Sequence, residues 1–410
     1  MTPLTRRTAR QLPRWSELAP LVKPSKPVLD PVERRLQRAQ TVADLRQIAR
    51  RRTPRAVFDY TDGAAEDEIS IGRARDAYAR VEFLPRVLHD VSRVDTSADV
   101  LGRRAAMPIV LAPTGFTRLM HHAGETAVAA AAAGAGLPYA LSTMGTTSLE
   151  ALAEAAPDTR RWFQLYLWTD RDASSDLVER AWQCGYDTLV LTVDTPVAGS
   201  RRRDVVNGFT IPPSLTLKTM ADIARYPAWW ANLLTTAPLE FASLSSWNGT
   251  VAELIGGMFD PSLDLDDLDW LRGAWPGRLV VKGIQTTDDA LRVADRGADG
   301  VVLSNHGGRQ LDRAPTPLEL LPEVRRVLED RVELLIDTGI MTGADVVAAL
   351  ALGADAVLVG RAYLYGLMAG GERGVARAIE ILRTELVRTM QLMGAPAVAD
   401  LRGRAVLRPA

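Results

Sequence analysis

The chain is poor in cysteine, in histidine and in long apolar runs, and each shortage closes off a class of answer. A single cysteine, Cys184, in 410 residues excludes an intrachain disulfide and suits a reducing compartment. No window approaches 18 uninterrupted apolar residues, so no membrane-spanning helix is expected. The opening "TRRTAR" has a twin arginine but no apolar segment behind it, which argues against an export signal. Net charge is −1, so the whole molecule does not read as a polyanion binder and no nucleic-acid partner is expected. There is no low-complexity tract and no repeat beyond a strand–helix unit, and no metal site is assigned.

What is present is a core-forming composition, 47% hydrophobic and 24% charged, with charge unevenly placed. Residues 1–55 hold fourteen Lys/Arg against four acids, so the head is +10 and the remainder −11. Residues 1–40 read as an extended, proline-punctuated basic arm, and 41–410 as one large α/β domain.

From residue 107 onward, short apolar runs alternate with helical patterns. The runs lie at 107–115, 137–144, 161–168, 188–196, 278–284, 300–307, 333–339 and 356–363. They are near-continuously apolar, as parallel strands covered on both faces should be. Segments such as "TTDDALRVADRGA" and "TGADVVAALALGA" between them open on Thr/Asp cap signals and end near glycine. Eight such units favour a closed (β/α)8 barrel over an open doubly wound sheet. Residues 197–277, between the fourth and fifth runs, are too long for a crossover; this Trp- and Leu-rich insertion suits a lid or a contact surface.

In such a barrel the chemistry gathers where the strands end. Those ends carry Thr114 and Gly115, Ser142, Gln164 and Tyr166, Thr192 and Asp194, Lys282, Ser304 and His306, Asp337 and Gly339, and Gly360 and Arg361. Eight polar or glycine endings in register point to one pocket. The sixth run ends in "SNHGGRQLD". His306 is the candidate acid/base, because its ordinary pKa lies near neutrality. Arg309 is a fixed cation suited to a carboxylate. Gly307 and Gly308 permit a tight turn against a flat ligand. The plainer alternative is a capped turn with a surface arginine. His121 and His122 are rival bases that read better as loop residues, and strand-end Ser/Thr are often only helix caps.

"SNHGGRQLD" resembles the signature of the FMN-dependent α-hydroxy acid oxidase and dehydrogenase family. "FDYTDGAAEDE" (58–68), "APTGF" (112–116), "FQLYLW" (163–168), "LTVDTPVAGSRRRD" (191–204), "VVKGI" (280–284) and "GRAYLYGL" (360–367) are similar to other family patterns, in the family's order. The resemblance spans about residues 45–400 and is nearest to bacterial respiratory L-lactate dehydrogenases. It implies the barrel fold, FMN as cofactor, and oxidation of an L-2-hydroxy acid, foremost L-lactate to pyruvate, with electrons passed to quinone or another acceptor. It further implies His306 as base and Asp194 as its carboxylate partner. Tyr60, Arg201 and Arg309 become substrate-carboxylate ligands, Tyr166 a contact to the substrate hydroxyl, and Lys282 the cation beside the flavin N1 edge. Thr114, Ser142, Gln164, Thr192 and Ser304 become flavin-facing groups, and Asp337, Gly339, Gly360 and Arg361 the ribityl and phosphate site. A homotetramer or octamer is implied, in the cytoplasm or peripheral on the cytoplasmic face of the inner membrane. The basic head and Trp229, Trp230, Leu233 and Leu234 in the insertion are the features that suit a membrane surface.

The chain departs from the family pattern in three places. "DTGIM" puts Thr338 and Met341 where "DGG" and then a basic residue are usual, which removes one phosphate cation. Met144 stands where glycolate oxidases carry tryptophan, and Gly115 where many members have alanine. Competing readings are an oxidase that reduces oxygen to peroxide, an FMN isomerase acting on a pyrophosphate, and a non-catalytic binding module.

Overall fold

The computed structural model describes residues 12–21, 28–208, 217–244 and 259–409. The stretches 1–11 and 22–27 of the basic arm and 209–216 and 245–258 of the insertion lie outside the described residues. Eight parallel strands close into a barrel: β1 (Ile109–Leu111), β2 (Tyr139–Ser142), β3 (Arg161–Leu165), β4 (Thr188–Thr192), β5 (Arg278–Ile284), β6 (Gly300–Leu303), β7 (Glu333–Ile336) and β8 (Ala356–Val359). Each pairs with its sequence neighbours, and β8 closes on β1. This is the (β/α)8 barrel that the alternation of apolar runs and capped helices implied.

Strand parity decides what faces inward. Val110, Ala140, Trp162, Val190, Val280, Val302, Leu335 and Leu358, one from each strand in turn, share a single buried cluster inside the barrel. Their neighbours, such as Ile109, Leu141, Leu189 and Val301, belong to the outer cluster packed under the helices. A hairpin (Ala98–Val100 with Arg103–Ala105) contributes Val100, Leu101 and Ala105 to the inner cluster and so plugs one end. The opposite end is left for chemistry.

The described part of the arm departs from the extended reading. Pro31–Arg38 is a helix, capped by the Asp30 carboxylate on the Val32 and Glu33 amides, with Pro31 at its first turn. Leu36 is buried, and Arg35 Nε donates to the Ala369 carbonyl. Packing against the helix Arg361–Leu392, which breaks at Gly370 and Gly371, overrides the proline-rich appearance.

The described parts of the excursion between β4 and β5 pack by the mouth of the barrel. Its helix Pro227–Leu234 turns Trp229 inward, where Nε1 donates to the Leu119 carbonyl at 2.9 Å. Phe241 meets Phe116 edge-on at 4.7 Å, and Arg118 donates to Thr236 and to the Ala237 and Pro238 carbonyls. The helix Leu265–Ala274 then returns the chain to β5, burying Leu268 and Leu271.

Candidate active site

Two residues beyond the inner core cluster, strand parity brings the next inward layer: Ser142, Gln164, Thr192, Lys282, Ser304, Asp337 and Gly360, with Ala112 on the first strand. The strands thus change from aliphatic to polar in register. The layer floors a cavity of about 950 Å3, a size typical of a cofactor site. Of the sixteen residues singled out from the sequence, fourteen line this cavity. The other two stand just behind it. Ser304 is fully buried beneath Lys282 and His306, and the Asp194 side chain is buried behind His306.

The His306 loop is fixed by its backbone. His306, Gly307 and Gly308 all have positive φ (59°, 66° and 72°), a conformation that glycine adopts freely and histidine does not. Ser304 Oγ accepts from the His306 amide at 3.0 Å and from Lys282 Nζ at 3.0 Å. Asn305 Oδ1 accepts from the Gly308 amide at 3.0 Å and from Thr338 Oγ1 at 2.9 Å. Thr338 Oγ1 in turn accepts from the Gly307 amide at 3.1 Å. The hydroxyl of Thr338, a departure in the sequence, therefore ties the end of β7 to the histidine loop.

His306 Nδ1 lies 2.9 Å from Asp194 Oδ1. Burial pulls the imidazole below its ordinary value; Asp194 pulls the other way and loses. A carboxylate partner alone would raise the histidine; burial reverses the net direction. The ring is thus neutral and able to take a proton. Burial pushes the Asp194 carboxyl up, yet His306 and Lys282 together hold it below the usual carboxylate range. Burial likewise opposes the charge on Lys282, which Asp337 at 3.3 Å and Asp194 preserve.

Tyr60 forms another part of the wall. The Arg309 guanidinium lies 4.8 Å and that of Arg201 5.7 Å from the centre of its ring. Arg309 Nη1 donates only to neutral carbonyls, those of Tyr60 (2.6 Å) and Gly63 (3.1 Å). Burial and the neighbouring Arg201 pull Arg309 down to about 9. The Arg201 Nε is buried without a partner among the described residues. Arg361 donates to the Thr61 and Gly63 carbonyls at 3.0 and 2.7 Å. Among the described residues, none of these three arginines has a carboxylate at ion-pair distance. Three cations held this way call for an anion. Tyr166, its phenol pushed up by burial, completes the wall beside Asp194.

The remaining polar residues fit a flat, hydrogen-bonding ligand. Ser142 Oγ donates to Gln164 Oε1 at 3.0 Å, while Gln164 Nε2 and Thr192 Oγ1 are buried with no partner among the described residues. Thr114 Oγ1 is 2.7 Å from the Tyr363 hydroxyl. Gly360 opens the helix Arg361–Leu392 with no side-chain cap, leaving first-turn amides for an anion. Two departures prove to be linked: a Cβ on Gly115 would come within 2.9 Å of Met144 Cβ. His121 and His122 stack on each other at 4.4 Å outside the cavity, with His121 against Gly371, so neither is a base here.

Sequence reasoning missed Arg46, Arg75, Arg203 and Asp204, which also line the cavity. Arg203 and Asp204 were within reach, since they adjoin Arg201 in "SRRRD". Arg46 was not, because its partner Asp62 (2.5 and 2.8 Å) is fixed only by tertiary packing.

Residues 49–408 match the family described as FMN-dependent dehydrogenase. The chain is 58% identical over 397 residues to the "Putative L-lactate dehydrogenase" of Mycobacterium tuberculosis, covering 97% of this chain and 96% of that protein. It is 42% identical over 368 residues to the L-lactate dehydrogenase of Caulobacter vibrioides (strain NA1000 / CB15N), covering 88% and 96%. A solved structure, that of the monotopic membrane protein (S)-mandelate dehydrogenase, superposes with a TM-score of 0.87 at 40% identity, covering 90% of this chain and all of that one.

The orphaned hydroxyl of Thr192 gives a test of the fit. Thr192→Val removes a buried atom that lacks a partner, so the flavin-free protein should keep or gain thermal stability. FMN affinity should fall about 2- to 10-fold, the worth of one neutral hydrogen bond. Loss of stability with unchanged FMN affinity would show that the hydroxyl does not face the cofactor.

Proposed function

The chain belongs to the FMN-dependent dehydrogenase family, and from that premise we propose that it oxidises L-lactate to pyruvate and passes the electrons to quinone. Its cofactor is FMN, and its substrate class is the L-2-hydroxy acids. The observation that carries the reading is the pairing, in one cavity, of a neutral histidine with two arginines that hold no carboxylate.

Arg309 and Arg201, both beside the Tyr60 ring, grip the substrate carboxylate, each charge-assisted bond contributing about 1.5–3 kcal/mol. Tyr166 orients the substrate hydroxyl. His306 takes a proton from the substrate, from the hydroxyl or from Cα according to the order of bond breaking, and Asp194 holds and stabilises the imidazolium that results. FMN supplies the two-electron acceptor. Gln164 and Thr192 offer it their unpartnered polar atoms, and Lys282 sets a preserved positive charge beside it. Gly339, Gly360 and Arg361 hold its phosphate end.

The membrane reading needs one correction. Trp229 is partly buried and engaged with Leu119; Trp230 (37% exposed) and Leu234 (76%), with Met220 nearby in the chain, make an apolar surface among the described residues of the excursion. The Arg55 amide donates to Asp222 at 2.7 Å, which sets the cationic end of Val42–Arg52 beside this surface. Part of the basic head is already used: Arg46 pairs with Asp62 and Arg55 with Asp59. No described helix is long and apolar enough to cross a membrane. An apolar face beside exposed arginines suits peripheral docking on anionic lipid, on the cytoplasmic face, and gives access to quinone. A homotetramer or octamer belongs to the same reading, and light scattering tests it.

His306→Gln should retain FMN but slow anaerobic flavin reduction by L-lactate about 100- to 10,000-fold. Arg309→Lys keeps the charge without the planar fork and should raise KM at least tenfold. Near-normal reduction in the first variant, or unchanged KM in the second, would remove these residues from their roles.

At low salt the protein should sediment with anionic vesicles and release at high salt, and Trp230→Glu with Leu234→Glu should abolish sedimentation. Lactate should reduce a quinone analogue faster than oxygen. A protein that never sediments and forms stoichiometric peroxide would be a soluble oxidase instead.

A further inference from the structure

The sequence lacks the basic residue expected two positions after Gly339, where Met341 stands. An FMN phosphate is a dianion, and Arg361 alone leaves half of that charge unmatched. The helix Ile69–Ala79, whose Ala74 and Tyr78 pack against Gly339, brings Arg75 to this point. Arg75 Nη1 donates to the Gly339 carbonyl and, at 2.7 Å, to Asp345. Its Nε and Nη2 make no hydrogen bond among the described residues, and its side chain is 41% exposed on the cavity lining.

The neighbouring groups are already committed. Asp345 Oδ2 accepts from the Met341 and Thr342 amides at 2.8 and 2.9 Å, so those amides are taken. Arg46 is bound to Asp62, and Arg203 to Asp62 and Glu68. Arg75 is paired with Asp345 through Nη1 alone, and it lines the cavity beside Gly339 with Nε and Nη2 to spare.

We propose that Arg75 is the second cation of the FMN phosphate site, replacing the basic side chain absent at 341. Asp345 and the Gly339 carbonyl hold one edge of the guanidinium, and the free edge meets the phosphate. The charge is conserved while its carrier moves from the loop after β7 to a helix that precedes the barrel. The proposal deepens the FMN reading given above and rests on it.

The test compares FMN with riboflavin, which lacks the phosphate. Each is titrated by fluorescence quenching into the full-length, flavin-stripped wild type, Arg75→Gln, Arg75→Lys and the double variant Arg75→Gln/Met341→Arg. Arg75→Gln should weaken FMN roughly 10- to 100-fold, as expected for a lost charged contact, and leave riboflavin unchanged. Arg75→Lys should retain part of the preference for FMN, and Met341→Arg should restore most of it. Equal weakening of both flavins would assign Arg75 a purely structural role at Gly339 and Asp345 and overturn the proposal. So would unchanged FMN affinity in Arg75→Gln. A wild type that binds neither flavin would instead overturn the FMN reading itself.

Discussion

Positive charge withheld from water at one mouth of the barrel is the constraint on which this molecule turns. Arg201, Arg309 and Arg361 are half-buried and bond, where they bond, to neutral carbonyls. In water each would be solvated; here each awaits a counter-charge. A protein tolerates such an arrangement only if its working state supplies anions. A phosphate and a carboxylate meet that need, and they belong to the cofactor and substrate of this family. The other cations of the cavity are answered in full or in part: Lys282 by Asp337, Arg46 and Arg203 by Asp62 and Glu68, and Arg75 by Asp345 through Nη1 alone. Charge left unanswered, wholly or on one edge of a guanidinium, marks the binding surface.

The same loss of water shapes the base. Burial alone makes His306 a weak base and Asp194 a reluctant anion, and their contact moderates both. What results is an imidazole that is neutral before reaction and has a carboxylate beside it once it takes a proton. The left-handed backbone at His306 has a cost of order 1–3 kcal/mol, and it is sustained by Ser304, Asn305 and Thr338 around it.

Much of this was legible because a strand has period two. Once Val190 and Val280 are set inward, Thr192 and Lys282 must follow on the same face, and the polar layer assembles from spacing alone. The His306 loop was legible because consecutive glycines mark a backbone that few residues tolerate. What escaped depends on distant packing. Arg75 lies in "ISIGRARDAYA", which reads as a solvated helix, and its proximity to Gly339 spans 264 positions of sequence. Pro31–Arg38 reads as an extended arm until Gly370 gives Leu36 a surface to bury against. Trp229 looks like half of an exposed pair, yet one hydrogen bond to Leu119 turns it inward.

The central claim is that His306 is held neutral by burial and serves as the base. The direct measurement is the pH dependence of anaerobic flavin reduction by L-lactate, read as a second-order rate constant in the wild-type protein. Because burial lowers His306 from its ordinary 6.5, the rate constant should stay level from neutral pH down to 6.5 and fall only below it. An acid limb centred above 6.5 would mean that Asp194 outweighs burial, or that another group is the base, and would contradict the account.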